Sequence, residues 1–83
     1  MNNLVLLTET IVKKLVSDPE SVSVKEFETE EENEIQIEVM ISNEDLGKVI
    51  GKEGRIINAI RTIVQASSYI EDNKKVKINV DSY

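Results

Sequence analysis

Two glycines three residues apart, Gly51 and Gly54, stand between a short apolar helical pattern, Leu46, Val49 and Ile50, and a longer one that opens with Ile56 and Ile57. Glycine carries no Cβ, so the backbone can bend tightly at this point and come close to a ligand. The helix that starts after Gly54 presents unpaired N–H groups, and Lys48, Lys52 and Arg55 gather positive charge beside the turn. The pattern predicts a helical corner suited to an anionic backbone.

The rest of the chain can be arranged around that corner. Leu4, Leu7, Ile11 and Leu15, with Val5, Val12 and Val16 beside them, recur at helical spacing, and Pro19 ends the run, which predicts a helix over about residues 3–17. Val22 and Val24 alternate with polar neighbours, but Phe27 falls out of register, so the first strand is expected to carry a bulge or to end near Glu26. Ile35, Ile37, Val39 and Ile41 alternate with Gln36, Glu38 and Met40, as a strand with one buried face does. The acidic stretch between them, Glu28 to Glu34, reads as a solvated hairpin tip rather than a carboxylate metal site. Ser42-Asn43-Glu44-Asp45 has the Ser-x-x-acid pattern of a helix N-cap. A helix from about Arg55 to Tyr69 and a last strand through Val76, Ile78 and Val80 complete an αββααβ order, an α+β fold.

Composition enters through what it excludes. Eighty-three residues support one small domain. With no Cys and no His, the chain lacks disulfides, thiolate nucleophiles, imidazole bases and the usual zinc ligands. No apolar run approaches membrane-spanning length and no basic signal segment opens the chain, so a cytoplasmic protein without membrane contact is expected. The net charge of −6 is unevenly placed. Through Asp45 there are three basic and twelve acidic residues, giving −9; from Leu46 onward there are seven basic and four acidic, giving +3. Local potential, screened over roughly 8 Å, governs phosphate binding more than total charge does. Catalytic readings fail on motifs: residues 47–54 do not fit Gly-x-x-x-x-Gly-Lys-Ser/Thr, no Gly-x-Gly-x-x-Gly occurs, and no nucleophile–base pair is visible.

Val-Ile-Gly-Lys-Glu-Gly-Arg over residues 49–55, set in the αββααβ order, resembles the signature of a KH domain, and the leading helix resembles its type II form. Leu46-Gly47-Lys48-Val49-Ile50-Gly51 and Ala59-Ile60-Arg61-Thr62-Ile63 are similar to segments of the small stand-alone bacterial KH proteins of the KhpA type, a resemblance that covers nearly the whole chain. It implies a type II KH domain over residues 1–83, a three-stranded sheet with helices packed on one face. The implied function is non-catalytic and needs no cofactor or metal: a groove for about four unpaired nucleotides of single-stranded RNA, with the Gly-x-x-Gly turn clamping the sugar-phosphate backbone. Gly51, Lys52, Glu53 and Gly54 would form the clamp, with Lys48 and Arg55 contacting or steering phosphates. Val49, Ile50, Ile56 and Ile57 would supply groove walls, some of them filling the core instead, and Ile37, Val39 and Ile41 the sheet side. The resemblance also implies an RNA chaperone or post-transcriptional regulator linked to cell division or cell-wall growth. Glu53 departs from the pattern by placing a negative charge inside the clamp, and the aromatics are limited to Phe27, Tyr69 and Tyr83, so base stacking is not the main affinity term.

The helix after the turn carries a second message. At about 100° per residue, Ile57, Ile60 and Val64 form one compact stripe, while Ile56, Ala59, Ile63 and Ile70 form another, about 100 to 160° away. Either the first helix and the groove bury the second stripe, or a partner does. The resemblance implies self-association, and pairing with a second KH protein of the KhpB type, which would place Ile56, Ala59 and Ile63 at a dimer interface. A dimerising adaptor with incidental RNA contact is the alternative reading.

Overall fold

The computed structural model describes residues 3–83. Helix α1 (Leu4–Leu15) leads through a short turn at Pro19–Ser21 into strands β1 (Ser23–Glu28) and β2 (Glu34–Ile41); helices α2 (Leu46–Ile50) and α3 (Arg55–Glu71) follow, and strand β3 (Lys75–Ser82) ends the chain. The αββααβ order is as the apolar periodicities predict. The sheet runs β1-β2-β3, with β1 antiparallel and β3 parallel to the central β2. All three helices lie on its one apolar face, the α+β architecture that the resemblance implies.

Alternation in β2 is complete: Ile35, Ile37, Val39 and Ile41 are buried and the residues between them are not. Parity carries that pattern to the neighbours, since Val24 pairs with Val39 and Ile78 with Ile37. From α3 the stripe Ile57, Ile60 and Val64 packs onto this layer, and from α1 the residues Leu4 and Val12. Three boundaries depart from expectation. Strand β1 has no bulge and does not stop at Glu26; its register with β2 continues to Glu28 opposite Ile35. Phe27 is out of step with Val24 because it sits on the other, helix-free face of the sheet, opposite Gln36, where it is exposed.

Helix α1 ends at Leu15 rather than at residue 17, Val16 being already extended (φ −92°, ψ 157°). Its most buried line is Leu4, Thr8 and Val12, with Leu7, Ile11 and Leu15 packed at the margin. A buried threonine is tolerated because its hydroxyl donates to the Leu4 carbonyl at 2.8 Å. Helix α3 runs two residues past Tyr69, and its end is closed by the N–H groups of Asp72 and Asn73, both donating to the Ser68 carbonyl. Among the described residues no helix is long and apolar enough to cross a membrane.

Candidate nucleic-acid interface

The turn between α2 and α3 is built around three left-handed residues. Gly51 has φ 76° and ψ 176°, Glu53 φ 58° and ψ 24°, and Gly54 φ 75° and ψ 16°. Internal bonds hold the bend: Gly51 N–H donates to the Gly47 carbonyl at 2.9 Å, Gly54 N–H to Gly51 at 3.2 Å, and Arg55 N–H to Lys52. The two glycines serve different needs. A Cβ on Gly51 would lie 2.6 Å from Ile56 Cγ1, so the first glycine is required both by its dihedrals and by the close approach of α3. A Cβ on Gly54 would meet nothing nearer than Asn58 Nδ2 at 3.7 Å; only its left-handed φ favours glycine.

Of the apolar residues expected along the groove, Val49 is wholly buried and Ile57 nearly so; both serve the core, and Ile50 and Ile56 keep partial exposure beside the turn. Ile37, Val39 and Ile41 have no exposed surface at all, so they cannot line the groove. The reason is parity: the face of β2 that bears them is the one covered by α1 and α3.

The charges around the turn are partly neutralised from within. Asp45, 1% exposed, accepts the Ser17 N–H (3.0 Å), the Asp18 N–H (3.1 Å) and the Ser42 hydroxyl (3.0 Å), and lies 3.4 Å from Lys48 Nζ. The Ser17 N–H foremost, opposed by burial and aided by Asp18, Ser42 and Lys48, lowers the Asp45 pKa to about 2. Ser42 therefore does not cap α2 through its side chain, as the Ser-x-x-acid pattern predicts; its hydroxyl donates to Asp45, whose carboxylate reaches across to fasten the end of α1. Lys48 Nζ also donates to Ser17 Oγ, so this cation is tied to the same junction. On the other side of the turn, Arg55 Nη2 lies 3.6 Å from Glu53 Oε2, both side chains largely exposed. Lys52 has no such partner among the described residues.

On the polar side of α3, Arg61 and Gln65 have a definite structural task. Arg61 Nε and Nη2 donate to the Ile78 carbonyl at 3.3 and 3.0 Å, while Gln65 accepts from Val76 N–H and donates to the Lys74 carbonyl, both at 2.8 Å. These side chains occupy the open edge of β3. No local pattern signals this, because the partners lie in β3 or just before it, 9 to 17 residues away.

The second stripe of α3 is uncovered. Ala59 is exposed, Ile63 is 50% and Ile70 84% exposed, and Ile56 is half-buried. Ala66, also exposed, lies in the same line, which then reads 56, 59, 63, 66, 70. That alternation of three and four residues is a heptad seam, with isoleucine at one position and alanine at the other.

A model of the KhpA/KhpB KH-domain family matches residues 6–80. The chain is 51% identical over 74 residues to the RNA-binding protein KhpA of Clostridium perfringens, covering 89% of this chain and 95% of that one. It is 45% identical over the same length to the KhpA of Clostridium acetobutylicum, with the same coverage. Among solved structures it is similar to Era in complex with MgGDPNP and nucleotides 1506–1542 of 16S ribosomal RNA, with a TM-score of 0.66 at 19% identity. A second likeness, to Aquifex aeolicus Era bound to GDP·AlF4−, has a TM-score of 0.69 at 18% identity. In both, 95% of this chain aligns with 29% of the Era chain, a likeness of fold.

Proposed function

The chain belongs to the KhpA/KhpB KH-domain family, and from that premise we propose that it is a non-catalytic RNA-binding protein whose Gly-x-x-Gly turn clamps about four unpaired nucleotides. The observation that carries the reading is the turn itself. Gly51 and Gly54 hold positive φ angles, flanked by Lys48, Lys52 and Arg55 and by the half-exposed Ile50 and Ile56. Relatives of nearly the same length are named RNA-binding protein KhpA, which supports the RNA-binding part of the reading; the proposal extends it to residues 1–83 as one KH domain acting in the cytoplasm as an RNA chaperone or post-transcriptional regulator linked to cell division or cell-wall growth. Replacing Lys52 and Glu53 together with Asp turns a cation of the turn into a second carboxylate where phosphates must approach and leaves both glycines in place. Such a protein should fold and lose binding to short single-stranded RNA; undiminished binding in a titration at fixed salt would show that the turn is not the site.

The same molecule is proposed to work as a dimer through α3. Its seam of Ile56, Ala59, Ile63, Ala66 and Ile70 is apolar and open, and small alanines between isoleucines let two helices approach closely. Lys52 and Arg55 lie at one end of the seam and Glu71 and Asp72 at the other, so an antiparallel pair of copies brings unlike charges together, where a parallel pair would stack like on like. A KhpB-type partner would use the same surface. Ile63→Asp should give a folded monomer by circular dichroism and sedimentation; a variant that stays dimeric refutes this interface. A turn mutant that lost RNA binding yet kept its cellular function would favour the adaptor reading instead.

A further inference from the structure

We propose that Glu53 is a built-in brake on the clamp: in the free protein its carboxylate holds the Arg55 guanidinium, so that a phosphate of single-stranded RNA must displace it, and affinity is held below what the cations and glycines would otherwise give. The proposal rests on the RNA-binding reading and deepens it.

Three observations meet at this residue. First, Glu53 Oε2 lies 3.6 Å from Arg55 Nη2, and both side chains are largely solvent-exposed, 71% and 77%. An exposed pair of this kind is weak and exchanges readily with a competing anion. Secondly, Glu53 holds φ 58° and ψ 24°, a left-handed conformation that strains a non-glycine residue. Asn or Gly would sit there with less strain. The backbone thus fixes a carboxylate inside the turn at a position where its residue type is locally unfavourable. Thirdly, Lys48 is already committed to Asp45 and Ser17, which leaves Arg55 and Lys52 as the cations a phosphate can recruit. One of those two is engaged by Glu53.

On binding, a phosphate oxygen would take the place of Glu53 Oε2 against the guanidinium, a planar group that suits phosphate geometry. The displaced carboxylate then stays within a few ångströms of the RNA backbone and repels it. Both effects lower affinity, and neither requires any change in the fold.

The test is Glu53→Gln, with Glu53→Asn as a second variant because asparagine tolerates the left-handed region. Binding of a labelled twelve-nucleotide RNA pool of mixed sequence is read by fluorescence anisotropy at several salt concentrations. Both variants should bind about three- to tenfold more tightly than the parent at low salt, as expected for removing one charge at short range in a water-exposed site. The slope of log affinity against log salt should steepen by up to about 0.7, as Arg55 becomes free to exchange its own counterion for a phosphate. Arg55→Ala should cost more in the Glu53→Gln background than in the parent. If the parent binds and Lys52→Asp abolishes binding, yet both Glu53 variants bind with unchanged affinity and slope, the brake is overturned and the RNA-binding reading stands. If neither the parent nor the variants bind the pool, both fall together.

Discussion

The two sides of the Gly-x-x-Gly turn carry the same kinds of parts, a glycine and a cation–carboxylate pair, but one side is locked and the other is loose. On the α2 side, Gly51 is pressed against Ile56 and Lys48 is tied to a buried Asp45 that also fastens the end of α1. On the α3 side, Gly54 has room around it and Arg55 meets Glu53 in the open. The difference teaches where the turn is anchored and where it can respond. A carboxylate held by two backbone N–H groups and a hydroxyl is part of the structure, whereas an exposed pair can be exchanged for a ligand at little cost.

The sharpest test of the contrast is to add the same methyl group to both glycines. Gly51→Ala must bear a nearly glycine-only dihedral pair and a 2.6 Å approach to Ile56, which together should cost about 3 kcal/mol or more. Gly54→Ala bears only the left-handed φ, about 1 kcal/mol. Urea unfolding of the two variants compares them directly, and equal losses would mean that the two sides are not differently built.

Next comes Asp45. Replacing it with Ala strands the N–H groups of Ser17 and Asp18 and leaves Lys48 unpaired, so the fall in melting temperature should lie between those of the two glycine variants. The pH dependence is more specific. The carboxyl pKa is lowered from 3.8 to about 2 in the folded chain, so the unfolded state takes up the proton first. The stability due to Asp45 is therefore complete above about pH 4 and is lost as the pH falls towards 2. Asp45→Asn should start less stable at neutral pH and lose less over that interval. Acid unfolding curves that run parallel for the two proteins would rule this out.

These same residues mark what the sequence can and cannot reveal. The helical and alternating periods sufficed for all six elements, because burial against one sheet face imposes a 3.6-residue or two-residue rhythm that survives in the residue order. Phe27 looked like an irregularity only because a single inner face was assumed; its odd parity was a correct signal that it faces the other way. The Gly-x-x-Gly turn was legible since its dihedrals are strictly local. Ser42 and Asp45 do bond to each other, as their spacing suggests, but the bond is not a helix cap, and the backbone N–H groups that Asp45 also holds lie 27 and 28 residues back in the chain. Arg61 and Gln65 were legible as polar but not as the cover of the β3 edge. Local patterns record the elements; side-chain bonds between elements leave no period to read.

The smallest expected effect sharpens the comparison most finely, because it sets one cation against another at the same site. Lys52 has no carboxylate partner among the described residues, while Lys48 is shared between Asp45 and Ser17. A cation that neutralises a phosphate on a single strand contributes about −0.7 to the slope of log affinity against log salt, so two to four phosphates give the parent protein roughly −1.4 to −2.8. Lys52→Ala should reduce the magnitude of that slope by nearly the full single-phosphate amount. Lys48→Ala should change it by clearly less, because a charge already balanced by Asp45 releases few counterions when RNA arrives. The two variants, titrated with the same short RNA over the same salt range, separate a locked side from a loose one. Equal changes in slope would place Lys48 on the phosphates after all, and would mean that its tie to Asp45 does not withhold it from RNA.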